Sequence, residues 1–91
     1  MLRISEILEN ANGVRLKLDG ILSAETYEDF ETIFFRHRTD PMKTIILDMQ
    51  GVTFIGEGAA RKLARVGDAR VRVVNCSPFV ATLLDIVARR D

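Results

Sequence analysis

Residues 44–60, TIILDMQGVTFIGEGAA, restrict the fold more than any other stretch of this 91-residue chain. Thr44, Ile45, Ile46 and Leu47 lead to Asp48, then to a turn containing Gly51, a second apolar pulse over Val52, Thr53, Phe54 and Ile55, and a run of small residues from Gly56 to Ala60. β-Branched residues without polar alternation predict a strand buried on both faces, as in a sheet covered by helices. The small residues predict the start of a helix whose backbone another molecule can approach.

Upstream, Leu2, Ile4 and Leu8 share one parity and predict an edge strand, followed by a turn over Asn10, Ala11, Asn12 and Gly13, of which Asn12 and Gly13 tolerate positive φ. Val14, Leu16 and Leu18 then alternate with Arg15, Lys17 and Asp19, the pattern of a strand with one wet face. These two strands predict a hairpin, and Gly20 closes the second of them. Ser23 is placed to cap a helix beginning near Ala24, with Glu25, Glu28 and Asp29 near its positive end. Tyr27, Phe30, Ile33 and Phe34 recur at helical spacing, Arg36, His37 and Arg38 offset the negative pole, and Asp40-Pro41 stops the helix.

Downstream, a short helix is predicted from about Gly58 to Val66, with Ala60, Leu63 and Ala64 inward and Arg61, Lys62 and Arg65 outward; Gly67-Asp68 ends it. Val71, Arg72, Val73 and Val74 form a further strand, so strand, helix and strand make a βαβ unit with parallel strands and a right-handed crossover. Ser77 and Pro78 supply an N-cap and an N1 proline for a last helix that buries Val80, Leu83, Leu84 and Val87, with Arg89 and Arg90 at its end. The expected architecture is α/β: a small sandwich over residues 1–91, one domain, in which a mixed sheet of about four strands packs against helices.

Composition narrows the function. A hydrophobic fraction of 47% is ample for a core without disulfides or a structural metal, and 13 basic against 13 acidic residues leave no electrostatic footprint for nucleic acid. The single cysteine, Cys76, has no internal disulfide partner, and no thiol or imidazole cluster has metal-ligand spacing. No signal-peptide pattern and no run of roughly 20 apolar residues is present, so the expected setting is cytoplasmic, without direct membrane insertion.

In parallel α/β units ligands and partners meet the carboxyl ends of the strands, where loops and helix N-termini collect. Here that rim is expected to hold Asp48, residues 56–58, and Asn75-Cys76-Ser77. Asp48 is read either as a functional carboxylate or, as carboxylates at strand ends commonly are, as an acceptor for N–H groups of the following turn. Gly56-Glu57-Gly58 lacks the Lys and Thr of a phosphate loop, and Glu57 repels phosphate. His37 is read as complementing a helix dipole, and Cys76 as a buried small residue whose pKa the neighbouring helix N-terminus could lower. Arg61, Lys62 and Arg65 form either a solvated face or a partner contact. With no base placed to activate the thiol, these groups do not make a catalytic set, so no enzyme activity and no cofactor is expected.

The arrangement resembles the STAS domain family, the anti-sigma factor antagonists and their relatives. The matching pieces are Gly20-Ile21-Leu22 before the first helix, Thr44-Ile45-Ile46-Leu47-Asp48 followed by Gly51-Val52-Thr53-Phe54-Ile55, and Val71-Arg72-Val73-Val74-Asn75 followed by Ser77-Pro78. The resemblance implies a non-catalytic protein-binding module whose partner is an anti-sigma factor with serine-kinase character. In typical antagonists the segment after the Phe-Ile pair reads Asp, Ser, Ser or Thr, Gly, Leu, and its second hydroxyl residue is phosphorylated. Those positions here are Gly56, Glu57, Gly58, Ala59 and Ala60, and each departs from the pattern. Family members also often carry Asp where this chain has Ser23, and have a longer second helix.

Gly58 has no oxygen to accept a phosphoryl group, so the familiar switch is not expected there; Ser23, Thr53 and Ser77 remain as hydroxyls, with nothing favouring one. The expected docking surface comprises Gly56, Glu57, Gly58, Ala59, Ala60, Arg61, Lys62 and Arg65, with Ser23 and Asp48 beside them. Alternatives implied by the same resemblance are an accessory subunit of a membrane transporter complex and a small-ligand-binding domain. Pairing with a second copy of the chain stays open.

Overall fold

The computed structural model of the protein describes residues 1–66 and 70–90. Its elements run β1 (Leu2–Asn10), β2 (Gly13–Leu22), α1 (Ala24–Arg38), β3 (Thr44–Ile55), α2 (Glu57–Val66), β4 (Val71–Val74) and α3 (Pro78–Arg90). The strands form one sheet in the order β1-β2-β3-β4; β1 is antiparallel to β2, and the other two pairings are parallel. This is the α/β architecture expected from the sequence, an N-terminal hairpin joined to a parallel unit. The expected helix stop at Gly67-Asp68 lies outside the described residues.

Strand register explains where the core sits. Val14 pairs with Ile45 and Leu16 with Leu47, while Ile45 pairs in turn with Val71, so these side chains share one face of the sheet. On that face they are buried together with Tyr27, Phe30 and Phe34 of α1, Ala59, Ala60 and Leu63 of α2, and Val80 and Val87 of α3. All three helices therefore cover the same side. Phe30 and Phe34 stack with ring centroids 5.3 Å apart, and truncating either to alanine costs about 3–5 kcal/mol in such a setting.

Three local expectations are corrected. First, β3 does not turn at Gly51: it continues for 12 residues. Gly51 makes room for a side chain of β2 rather than reversing the chain. Second, β3 is covered on one face only, because Ile46 and Gln50 on the opposite parity are half-buried and exposed. The apolar run misled because Asp48, its one charged member, is itself buried, at 6% exposure.

Third, β2 passes through Gly20 instead of ending there. Gly20 has φ of 110°, and the Ile21 N–H donates to the Met1 carbonyl at 2.9 Å. A side chain at Gly20 would run into that same carbonyl, so both the backbone angle and the close approach select glycine. The hairpin turn, by contrast, needs no positive φ at Asn12 or Gly13: among the described residues only Gly20 and Asn75 adopt one. The turn is held by Asn10 Oδ1, which accepts the Asn12 N–H at 2.8 Å.

Candidate functional site

The parallel pairing of Leu22 with Ile55 brings the ends of β2 and β3 side by side, and this sets the rim. The Gly56 N–H donates to the Leu22 carbonyl at 2.9 Å, and the Gly56 carbonyl accepts the Ala60 N–H at 2.9 Å. Gly56 is thus the residue at which the chain leaves the sheet and enters α2. A side chain there would meet the Ser23 backbone at an ordinary contact distance of 3.8 Å, so Ser23 and Gly56 are neighbours. Ser23 itself begins α1, with Thr26 Oγ1 accepting its N–H at 2.9 Å and donating to the Ile21 carbonyl at 2.8 Å.

Gly58 lies in the first turn of α2, and apart from its chain neighbours and the backbone of its own helix no atom lies within 4 Å of the place a side chain would occupy. The space in front of it is open, and Glu57 beside it is exposed. Ala59 and Ala60 differ from the expectation that they line the docking surface: they are buried at 1% and 0% and seat α2 on the sheet. Their small size matters for that close approach, not for direct contact. Glu57 also pairs with Arg61 along the helix at 2.9 Å.

The three outward cations of α2 are not equivalent. Lys62 Nζ lies 5.2 Å from the centroid of the Tyr27 ring, so it is engaged with α1. Arg61 and Arg65 are exposed. Burial, with a smaller push from the charge of Glu31, raises the Tyr27 pKa to about 12.

Asp48 lies within β3, on the face of the sheet away from the helices, seven positions short of the strand's end at Ile55. Its Oδ1 accepts the Gln50 N–H and the Asn75 amide, each at 3.1 Å, and its Oδ2 accepts from Arg15 at 3.0 Å. Asn75 reaches it from a left-handed backbone, φ 59°. Burial alone pushes the Asp48 pKa upward, but the hydrogen bonds from Gln50, Asn75 and Arg15 and the Arg15 charge outweigh it, leaving the pKa below the usual carboxylate value. The arrangement is a tie between β2, β3 and the end of β4 rather than part of the rim, and the N–H acceptor reading of Asp48 accounts for one of its three bonds.

Cys76 and His37 are also placed by contacts. Burial raises the Cys76 pKa, as its reading as a buried small residue implies, rather than the helix N-terminus lowering it; the thiol is half-buried beside the core. His37 is buried at the far end of α1, with Nε2 2.8 Å from Glu6 Oε1 and Nδ1 3.2 Å from Lys43 Nζ. An ammonium can only donate to Nδ1, so Nε2 carries the proton and donates to Glu6. His37 therefore ties α1 to β1 in addition to lying at the negative pole of its helix.

The sequence reading missed an aromatic pair. Phe54 and Phe79 are 48% and 53% exposed, yet their rings stack with centroids 6.1 Å apart and planes 24° apart. Phe54 is two residues before Gly56 and Phe79 lies in the first turn of α3, so the pair sits on the rim. Phe79 continues into a shallow hollow of about 360 Å³ along α3, lined by Pro78, Thr82, Leu83 and Ile86. One signal was available: a strand in which Ile55 is inward leaves Phe54 outward.

Among the described residues no three His, Cys, Asp or Glu side chains converge to hold a metal ion, and no helix is long and apolar enough to cross a membrane. No characterised protein matches the chain closely enough to count as a relative. A protein-family model described as the STAS domain matches residues 5–89, from within β1 almost to the end of α3.

Proposed function

The chain belongs to the STAS domain family, and from that membership we propose that it is a non-catalytic regulatory module, of the anti-sigma factor antagonist kind, that docks a protein partner through its rim. The observation that carries this reading is the stacked, exposed pair Phe54 and Phe79, at the end of β3 and the start of α3, taken with the unobstructed Gly58 in the first turn of α2. Two half-exposed phenylalanines in contact are costly to leave in water and are the kind of side chain that anchors interfaces. Arg61 and Arg65, exposed on α2, flank the approach and set orientation and association rate.

In this reading the rim binds without the phosphorylation switch at its usual position. A phosphate carries about −1.5 to −2 charges and three acceptor oxygens, enough to eject a docked partner. Gly58 has no oxygen to receive it, and the Glu57 carboxylate is a permanent single charge already paired with Arg61. The module is a binder in a cytoplasmic setting whose release depends on something other than a phosphate at residue 58.

The test is affinity capture from native cell extract on the wild-type protein beside a Phe54→Ala/Phe79→Ala variant, followed by incubation with ATP. The reading expects a protein held by the wild type and lost by the variant, with the intact mass of the bait unchanged. Equal capture by both baits rejects the rim as the docking surface. A stoichiometric gain of one phosphate rejects the unswitched reading and points to Ser23, Thr53 or Ser77.

A further inference from the structure

A sheet that is mostly parallel ordinarily has both faces covered, yet here all three helices lie on one face and the other is open. Strand parity and register assign that open face to Arg3, Ser5 and Ile7 of β1, Arg15, Lys17 and Asp19 of β2, Ile46, Asp48 and Gln50 of β3, and Arg72 and Val74 of β4, with Ile21 and Phe54 at its end beside the rim. It is a surface with chemistry of its own. Among the described side chains four cations, Arg3, Arg15, Lys17 and Arg72, stand on it against two carboxylates, Asp19 and Asp48, although the whole chain has 13 basic and 13 acidic residues.

The buried Asp48 is committed to Arg15, Asn75 and Gln50, which leaves the other three cations to define the field. Among the described residues no ion pair joins Arg3, Lys17 or Arg72 to a carboxylate. They are spread over β1, β2 and β4, three strand spacings or roughly 14 Å across. Between them lie Ile7, 44% exposed, and the half-buried Ile46 and Val74. Cations at intervals with aliphatic side chains between them match a segment that alternates acidic and aliphatic residues.

We propose that this open face is a second docking surface, separate from the rim, that takes an acidic, aliphatic segment of a partner protein. Nucleic acid fits it less well, because no aromatic side chain stands among Arg3, Lys17 and Arg72 to offer a base a stacking platform, Phe54 at the far end being stacked on Phe79, and Asp19 lies within the field. The proposal does not depend on the rim reading, since the residues that carry it, Arg3, Lys17, Ile46 and Arg72, belong neither to the aromatic pair nor to α2.

Amide chemical-shift mapping with an acetylated eight-residue peptide alternating Glu and Leu tests it, beside the corresponding Lys/Leu peptide, a thymidine oligonucleotide and phosphatidylserine vesicles. The expected result is shifts at Arg3, Lys17, Ile46 and Arg72 with the acidic peptide, and affinity that falls at least tenfold between 50 and 500 mM salt, roughly as expected for a few charge contacts. A Lys17→Glu/Arg72→Glu variant loses at least fivefold in affinity while its melting temperature stays near wild type, whereas Arg89→Glu, on the helical side, binds as the wild type does. Shifts confined to α2, equal binding of the Lys/Leu peptide, tighter binding of the oligonucleotide or vesicles, or self-association that covers this face in the free protein would each overturn it.

Discussion

The Asp19 carboxylate occupies the space a side chain at Gly51 would need, so β2 and β3 interlock at that point. A methyl group at residue 51 overlaps Asp19 and also comes within 2.9 Å of the Leu18 carbonyl. Gly51→Ala is therefore expected to destabilise the protein by about 1–3 kcal/mol, the usual range for overpacking. Asp19→Ala in the same chain should recover only part of that loss, because the Leu18 carbonyl cannot move without disturbing the sheet. Urea denaturation of the two single variants and the double variant checks it; full recovery in the double variant would mean that the backbone approach is not limiting.

Asp48 gives the fold an acid limit. Its carboxyl group has a depressed pKa in the folded protein, against about 3.9 in an unfolded chain. The sign follows from linkage: the stabilisation is present above the unfolded value and is lost as pH falls through the lower folded value. Unfolding free energy measured between pH 6 and pH 2 should thus decline below about pH 4, and Asp48→Asn should be less stable at neutral pH with a shallower decline. Parallel curves for the two proteins would show that Asp48 does not set this limit.

Tyr27 acts at the other end of the pH scale. Its pKa is raised to about 12, so the neutral phenol is favoured in the folded state, and the stabilisation is complete below the unfolded value of about 10 and lost as pH rises toward 12. Tyr27→Phe should remove most of that alkaline loss. Lys62→Met is the control, because the Lys62 ammonium lies 5.2 Å from the ring centroid: if it flattens the alkaline decline as much as Tyr27→Phe does, the phenol alone is not responsible.

Elements that carry their own pattern were legible in the sequence. Val14 to Asp19 alternates because one face of β2 is dry and the other wet, and the aromatic spacing of α1 is a local property of its buried stripe. What could not be read were features set by residues far apart in the chain. Gly51 has the composition of a turn, but it accommodates Asp19. Asp48 looks like a strand terminus until Arg15, 33 positions earlier, is seen to bond it. Ala59 and Ala60 looked like open rim because small residues serve close packing and open access equally well; burial decides for packing. Phe54 and Phe79 were hidden for the opposite reason, since aromatic residues in a strand and a helix are normally assigned to the core.

Gly58 offers the most direct handle on how this rim differs from those of its family. Because nothing beyond its chain neighbours and its own helix backbone lies within 4 Å of its side-chain position, Gly58→Ser introduces a hydroxyl without a clash, and it removes a glycine from a helix, where glycine is unfavourable by about 0.5 kcal/mol relative to serine. The variant should therefore fold with a melting temperature equal to or slightly above wild type. Its hydroxyl stands in the first turn of α2, where the backbone N–H groups and the helix dipole favour an added phosphate. If the missing acceptor is the only block, incubation with ATP and a kinase partner captured on the wild-type rim should add one phosphate to Gly58→Ser and none to the wild type, and the phosphorylated variant should release the partner. A variant that folds and binds but takes no phosphate would place the block in the rest of the motif, with Glu57 and its pairing to Arg61 the first feature to change next.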